Sequence, residues 1–510
     1  MAGLQQRLRA LSPETLKHIR RGIEKESLRV EANGKLALTP HPVALGSALT
    51  HPHVTTDFSE AQLELITGVH ESIDACFDEL TEIHQVVCRA IGDEMLWAGS
   101  MPCHLPTDET IPLGIYGSSN VGRAKSVYRM GLGHRYGRRM QMISGIHYNW
   151  SMPGVSTEAY FGLIRNFRRH SFLLLYLVGA SPAVCASFVA GRQHELQSLN
   201  RHTLYMPWGT SLRMGRLGYQ SDAQAALAVS YNNLESYAAS LQEALTRPYP
   251  SYTAVGIRNP GGDYNQLSTS LLQIENEFYG TIRPKRVIFP GERPLHALRQ
   301  RGVEYVEVRC LDLNPFVHVG IDAQTVRFID LLLLHCLLSD SPPDTPQEIA
   351  ALGRNQHLVA AQGRDPDLML DRGGKAVALT EWGTEVLDEC AAIAVALDGV
   401  HGGSAYREAL DSAFAAMREA CEVPSARVLA AMTSDFDNSY VDFTRAQSEL
   451  ARSALSRLPL PADREAYFQG MAQQSFEEQK RIEAADTMPF EAFRQAYLSP
   501  SSLGDGSHGS

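Results

Sequence analysis

No CxxC pair occurs among the eight cysteines, Cys76, Cys88, Cys103, Cys185, Cys310, Cys336, Cys390 and Cys421. That excludes a zinc ribbon and a dithiol redox motif, and scattered thiols in a long chain read as mostly buried free cysteines of a cytoplasmic protein. No GxxxxGK[ST] is present, which excludes a P-loop. GLGHRYG, Gly131 to Gly137, lacks the glycine spacing of a dinucleotide fingerprint, and HELQS at His194 lacks the second histidine of a zinc protease helix. DFDNSY begins like a calcium loop but places Tyr440 where the turn needs glycine. Positive charge is also short: 46 Lys and Arg against 57 Asp and Glu leave a net charge of -11. Such a balance argues against a nucleic-acid-binding surface. The opening MAGLQQRLRALSPETLKH has no uninterrupted apolar region, so no secretory signal is expected. Long apolar runs are missing too. Gly179, Ser181 and Pro182 break HSFLLLYLVGASPAVCASFVAG into two buried pieces, and DLLLLHCLL is too short to cross a bilayer, so no membrane association is expected.

What is present is an ordinary globular composition of 510 residues, 44% hydrophobic and 20% charged. Helical periodicity covers 156–180 and 221–246, the second with an N-cap at Ser221. Strand-like stretches lie in 20–70, at 145–150, and in NQLSTSLLQIENEFY, RVIFP and VEYVEVRCLDL between 265 and 313. From about 343 to 498 the pattern is helical, and the tail 499–510 reads as disordered. Strands spaced by helices of variable length do not make a regular βαβ alternation. The expected fold is therefore α+β, a mostly antiparallel sheet covered by many helices, in one domain spanning 1–498.

GIEKESLRV, Gly22 to Val30, poses a chemical question. In a strand, Glu24, Glu26, Leu28 and Val30 share one face, and the apolar pair turns that face inward. Two carboxylates roughly 7 Å apart along a strand repel by about 2 kcal/mol at an effective dielectric of ~20, and desolvation adds to the cost. A bound cation compensates. The residues alone leave open a second reading, in which the segment is the wet end of a helix. Three further pieces carry similar groups. VTTDFSEAQLELIT offers Asp57, and Glu64 between Leu63 and Leu65. GVEYVEVRCLDL places Glu307 and Arg309 on one face of a strand that is apolar on both sides, paired with each other or with neighbours. SGIHYNWSM puts His147 and Asn149 on one face, where a lone histidine serves as a hydrogen-bonded core residue or as a ligand. Mostly carboxylate oxygens suit Mg²⁺ or Mn²⁺ and suit Zn²⁺ poorly. Carboxylates around hard cations point to a nucleotide or phosphoryl group. Basic donors for it are on offer at Arg123, Lys125 and Arg129, at Arg213, and at Arg283, Lys285 and Arg286, each equally readable as a solvated charge.

RGIEKESLRV, HPVALGSALTHPHVTTDFSEAQLELIT, SMPCHLP, YGSSNVGRAKSVYRMGL, RYGRRMQMISGIHYNWSMP, LVGASPAVCASF, GTSLRMGRLGYQ, LQIENEFYGTIRPKR, GVEYVEVRCLDLNPF and EAADTMPFEAF run in order from about residue 20 to 495. Together they resemble the bacterial branch of the glutamate–cysteine ligases. The resemblance implies a curved antiparallel sheet forming a funnel, as in glutamine synthetase. It implies Glu24, Glu26, Asp57, Glu64, His147 and Glu307 as ligands of Mg²⁺ (or Mn²⁺), and ATP as co-substrate. Glu307, Arg309 and Arg213 are implied to act on the transferring group. Tyr128, Arg129, Gln141 and Tyr219 are implied for the amino-acid substrates, L-glutamate and L-cysteine. Asn276, Tyr279 and Arg283 are implied near the nucleotide. A monomer is the state implied. Segments after SMPG and in the C-terminal helices look shorter than in some relatives. The competing expectations are a sister carboxylate–amine ligase with another amine acceptor, and a metal-dependent phosphohydrolase.

Overall fold

The structure is a computed structural model that describes residues 2–218, 222–225 and 227–504. Its centre is a seven-stranded, fully antiparallel sheet. The strand order is Val54–Thr56, Gln62–Ile66, Arg20–Val30, Ile146–Ser151, Tyr305–Leu311 and Ile282–Lys285, with the short Met95–Leu96 beside the end of Arg20–Val30. The sheet is open, and GIEKESLRV lies within its eleven-residue strand, so the helix-end reading is excluded.

Alternation divides each strand between two environments. Ile23, Tyr148, Trp150, Val306 and Val308 face a large core closed by the helices Thr157–Val178, Ala323–Leu338, Leu379–His401 and Ala405–Arg418. Val54, Leu63 and Leu65 continue that apolar side against the helix Ile73–Ala90. Further along the first strand, Leu28 and Val30 enter a second core with Phe58, Trp97, Met142 and Ile143. What remains on the other face, between these cores, is polar. A register shift between Val308 and Leu311 inserts one extra residue against Tyr148–Ile146, a bulge of the kind that bends a strand beside a site.

Several expectations are corrected. The 221–246 helix is instead a short turn of helix at Asp222–Ala225 and a helix that starts at Leu234, because Asn233 and Ser236 form a reciprocal capping box there; Ser221 lies outside the described residues. NQLSTSLLQIENEFY is not a strand. It is loop with one tight turn at Glu275–Glu277, and its backbone is held by side chains: Gln273 and Glu277 accept from the Leu267 and Gln273 amides at 2.9 and 2.7 Å. The strand expected at RVIFP sits earlier, at Ile282–Lys285, and Val287 to Phe289 are exposed. A two-stranded hairpin, Met369–Arg372 with Lys375–Ala378, interrupts the helical C-terminal part. At the start of the tail, Pro500–Leu503 form a turn of helix in which Leu503 is buried, and Arg299 donates to the Leu503 and Gly504 carbonyls at 3.2 and 2.6 Å. Residues 505–510 lie outside the described residues. Among the described residues, no helix is long and apolar enough to cross a membrane.

Candidate active site

The polar face of the sheet opens into a cavity of about 420 Å³. Glu24 and Glu26 reach it from the first strand, Glu64 and His147 from its two neighbours, Glu307 and Arg309 from the next strand, and Asp57 from the bend after Val54–Thr56. Pairing sets the cluster directly. Glu26 stands opposite Glu64, Glu24 opposite His147, and Glu307 opposite Asn149, and side chains directly opposite on one face are about 5 Å apart at Cβ. His147 is the hub: Nδ1 lies 3.2 Å from Glu24 Oε2 and 3.9 Å from Glu307 Oε1, and Nε2 lies 3.6 Å from Glu26 Oε1. One ligand atom each from Glu24, Glu64 and His147 falls within 4.8 Å of the other two.

The remaining walls bring in most of the expected substrate residues. The helix Asn120–Tyr136 presents Lys125, Tyr128 and Arg129. Gln141, Asn276, Tyr279, Arg283 and Lys285 line the same cavity, and the C-terminal helix Phe490–Leu498 adds Phe493 and Tyr497. Gln141 Nε2 donates to the Tyr279 hydroxyl at 3.0 Å. Arg129 is partly committed: it donates to the Asp57 and Lys125 carbonyls and its guanidinium lies 4.4 Å over the Tyr116 ring. Arg213 occupies a smaller adjoining cavity with Arg309 and Tyr279, and it donates to the Arg309 carbonyl at 2.9 Å. Glycine at 145 permits that approach, because a Cβ there would meet the Arg213 guanidinium at 2.2 Å. Tyr219 lies outside the described residues. Arg286 and Arg123 do not join the cavity: strand alternation aims Arg283 and Lys285 inward and Arg286 away, and Arg123 covers Phe490 at 4.4 Å.

The charges are unevenly compensated. Around Glu307, Lys285 Nζ at 3.3 Å, Arg309 Nη1 at 3.0 Å and Arg283 Nη1 at 3.9 Å form a cationic shell. Burial raises the Glu307 carboxyl, but Lys285 and then Arg309 outweigh it and hold it well below the usual range. Glu64 shows the opposite balance. Burial, then Glu24, Asp57 and Glu26, push its carboxyl well up, and Arg129 offsets only part of this. Glu26 is also raised, by burial and then Asp57. For Glu24, burial raises the carboxyl, but the His147 hydrogen bond and nearby cations bring it below its ordinary value. One end of the cavity is thus anion-rich and short of positive charge, and the other end is lined by cations. Clustered carboxylate oxygens with one imidazole and uncompensated charge fit a hard divalent cation, and the cationic end fits a phosphoryl group.

Residue patterns alone had not singled out Asn149 as a support. Its amide donates to Glu24 Oε1 at 2.9 Å, and its place on the His147 face was the available signal. Lys285 stood only among the basic donors, and its partnership with Glu307 follows from the Ile282–Lys285 pairing that the sequence pattern misplaced.

The glutamate–cysteine ligase family model matches residues 5–359. The chain belongs to the glutamate–cysteine ligase family. The glutamate–cysteine ligase of Pseudomonas entomophila is 48% identical over 502 residues, covering 95% of this chain and 94% of that protein. That of Alcanivorax borkumensis is 46% identical over 525 residues, covering 98% and 100%. A crystal structure of the Francisella tularensis glutamate–cysteine ligase in complex with AMP superposes with a TM-score of 0.90 at 36% identity, covering 95% of this chain and 98% of that one. A bifunctional glutathione synthetase of Pasteurella multocida shares the fold, with a TM-score of 0.71 at 24% identity, covering 90% of this chain and 57% of that one. The α+β architecture with a mostly antiparallel, unclosed sheet is common ground with these structures.

Proposed function

We propose that the chain joins the γ-carboxylate of L-glutamate to the amine of L-cysteine at the expense of ATP, giving γ-glutamylcysteine, ADP and phosphate, the first step of glutathione synthesis. The observation that carries this reading is the divided charge of the cavity: Glu24, Glu26 and Glu64 gather beside His147, while Arg309, Arg283 and Lys285 surround Glu307, which lies 3.9 Å from His147 Nδ1. An oxygen of the glutamate γ-carboxylate attacks the γ-phosphorus of ATP, the bond to the bridging oxygen breaks, and ADP leaves. The γ-glutamyl phosphate formed is an acyl donor. The cysteine amine attacks its carbonyl carbon, the carbon–oxygen bond to phosphate breaks, and the amine gives up a proton.

Glu24, Glu26, Asp57, Glu64, His147 and Glu307 are the residues that would hold divalent cations, Mg²⁺ in the first instance. Bound there, such ions shield the anionic phosphates from the attacking carboxylate. The chain's own cations do the rest. Arg309, held by Glu307, and Arg213, fixed to the Arg309 carbonyl, direct positive charge at the oxygens where negative charge develops. Tyr128, Arg129, Gln141 and Tyr219 are assigned to the amino acids, and Asn276, Tyr279 and Arg283 to the nucleotide side. Phe493 and Tyr497 add aromatic surface to the cavity wall, and displacing water there would protect an acyl phosphate from hydrolysis.

Phosphate release from ATP, measured with Mg²⁺, L-glutamate and a panel of amines, tests the reading. Release that requires glutamate and cysteine together, with a γ-glutamyl dipeptide as product, is expected. Release with glutamate and another amine but not cysteine makes the protein a sister ligase, and release independent of glutamate rejects the assignment.

A further inference from the structure

Behind the sheet, away from the cavity, three helices meet around two histidines and a cysteine. His170 comes from the helix Thr157–Val178, and His335 and Cys336 from Ala323–Leu338. One ligand atom from each lies within 4.8 Å of the others, and His170 Nδ1 is 3.9 Å from Cys336 Sγ. The two imidazole rings stand 5.2 Å apart. His335 is 1% exposed, and its Nδ1 is buried with no hydrogen-bond partner. Its Nε2 sits 2.7 Å from Glu389 Oε2, on the third helix, Leu379–His401. An orphaned ring nitrogen on one side and a carboxylate on the other is how a metal-binding imidazole is held: the carboxylate takes the N–H and leaves the opposite lone pair for the ion.

We propose that His170, His335 and Cys336 form a second metal site, for a borderline-soft divalent ion of the zinc class, oriented by Glu389. Ligands 2.0–2.3 Å from a tetrahedral ion are about 3.5 Å from one another, so the observed spacing closes with side-chain movements of about 1 Å. The donor set of two nitrogens and one sulfur separates this site from the oxygen-rich cavity, which suits a hard ion. On binding, the Cys336 thiol gives its proton to bulk solvent and the thiolate joins the ion. Three protein ligands leave a fourth position, on the side of half-buried His170, for water. The ion ties two helices directly, with the third joined through the Glu389–His335 contact, and takes no part in ligation.

Titrating the purified full chain with Co²⁺ tests this, because a thiolate ligand produces a sulfur-to-metal charge-transfer band that carboxylates cannot. The proposal expects that band to saturate at one ion per chain, to disappear on adding Zn²⁺, and to persist in excess Mg²⁺. Cys336→Ala abolishes it, and Glu389→Gln keeps it with about 10- to 100-fold weaker binding. Zn²⁺ raises the unfolding temperature of the wild type and not that of Cys336→Ala, while glutamate- and cysteine-dependent phosphate release is unchanged in that variant. A wild-type titration without the band overturns the proposal without recourse to any variant. So does a band that survives Cys336→Ala, or one lost in Cys421→Ser, which removes the exposed thiol beside Glu419 and Glu422.

Discussion

The two faces of the sheet bury carboxylates in opposite ways. On the apolar face, Asp330 meets Arg21 at 2.7 Å, accepts from the Tyr148 hydroxyl at 2.7 Å and lies 3.4 Å from the Tyr406 hydroxyl. Arg21 and Asp330 thus find their partners within the chain. On the polar face, Glu26, Glu64 and Asp57 crowd together with less positive charge than they need, and burial plus mutual repulsion raise Glu26 and Glu64. A closed network specifies structure, whereas an open one stores a demand for a cation. The same strand supplies both: Arg21 points to one face, and Glu24 and Glu26 to the other.

The sharpest way to break this contrast is at the cationic end of the cavity. Arg309→Lys keeps a charge but loses the planar fork that meets Glu307, and kcat is expected to fall about 100- to 1000-fold with the fold intact by circular dichroism. An unchanged kcat removes Arg309 from the mechanism. An effect of similar size is expected on the apolar face. Asp330→Ala strands the Arg21 guanidinium, buried at 1% exposure, and is expected to cost about 3–5 kcal/mol of stability, read from urea unfolding. A loss under 1 kcal/mol means water reaches Arg21.

A smaller effect of opposite sign is expected at Glu64. Its carboxyl is raised in the folded state, so its protonated form favours folding below the ordinary carboxylate range. That contribution is lost as pH rises from there through the raised value. In chelator-treated protein, wild type and Glu64→Gln should therefore be close in stability near pH 4, and the variant should gain on wild type as pH rises to 7. Adding Mg²⁺ should reverse the order, because an ion held at 100 times its Kd adds about 2.7 kcal/mol to the wild type. Parallel pH profiles would show that Glu64 is not short of a cation. The smallest effect is expected at Asn149→Ala, which frees Glu24 from its amide partner and should weaken Mg²⁺ dependence by about 10-fold, the low end for a residue that supports a ligand.

Much of the site was legible because a strand's period of two is short and local. Glu24 with Glu26, Glu64 between leucines, and Glu307 with Arg309 could each be placed on a face from neighbouring residues alone. The bulge after Val308 leaves Glu307 and Arg309 together, 3.0 Å apart. What was not legible depends on distant partners. The 265–279 stretch looks like a strand, yet among the described residues it makes only a single bridge, Ser270 to Pro248, and Arg135 binds Glu277, Gln266 and the Ser268 carbonyl. The placing of Phe493 and Tyr497 in the cavity wall depends on contacts between distant parts of the chain, with Asn120 Nδ2 donating to the Met488 carbonyl at 2.9 Å. The turn at 500–504 likewise takes its contacts from Arg299, about 200 residues away in sequence.

The central claim is that the divided cavity passes a phosphoryl group to the glutamate γ-carboxylate before the amine arrives. Glutamate labelled with ¹⁸O in that carboxylate, turned over with ATP, Mg²⁺ and cysteine, tests it most directly. The account predicts that each phosphate released carries one ¹⁸O, because the carboxylate oxygen bonded to phosphorus leaves with it when the amine attacks. Phosphate free of label, formed together with γ-glutamylcysteine, would contradict it.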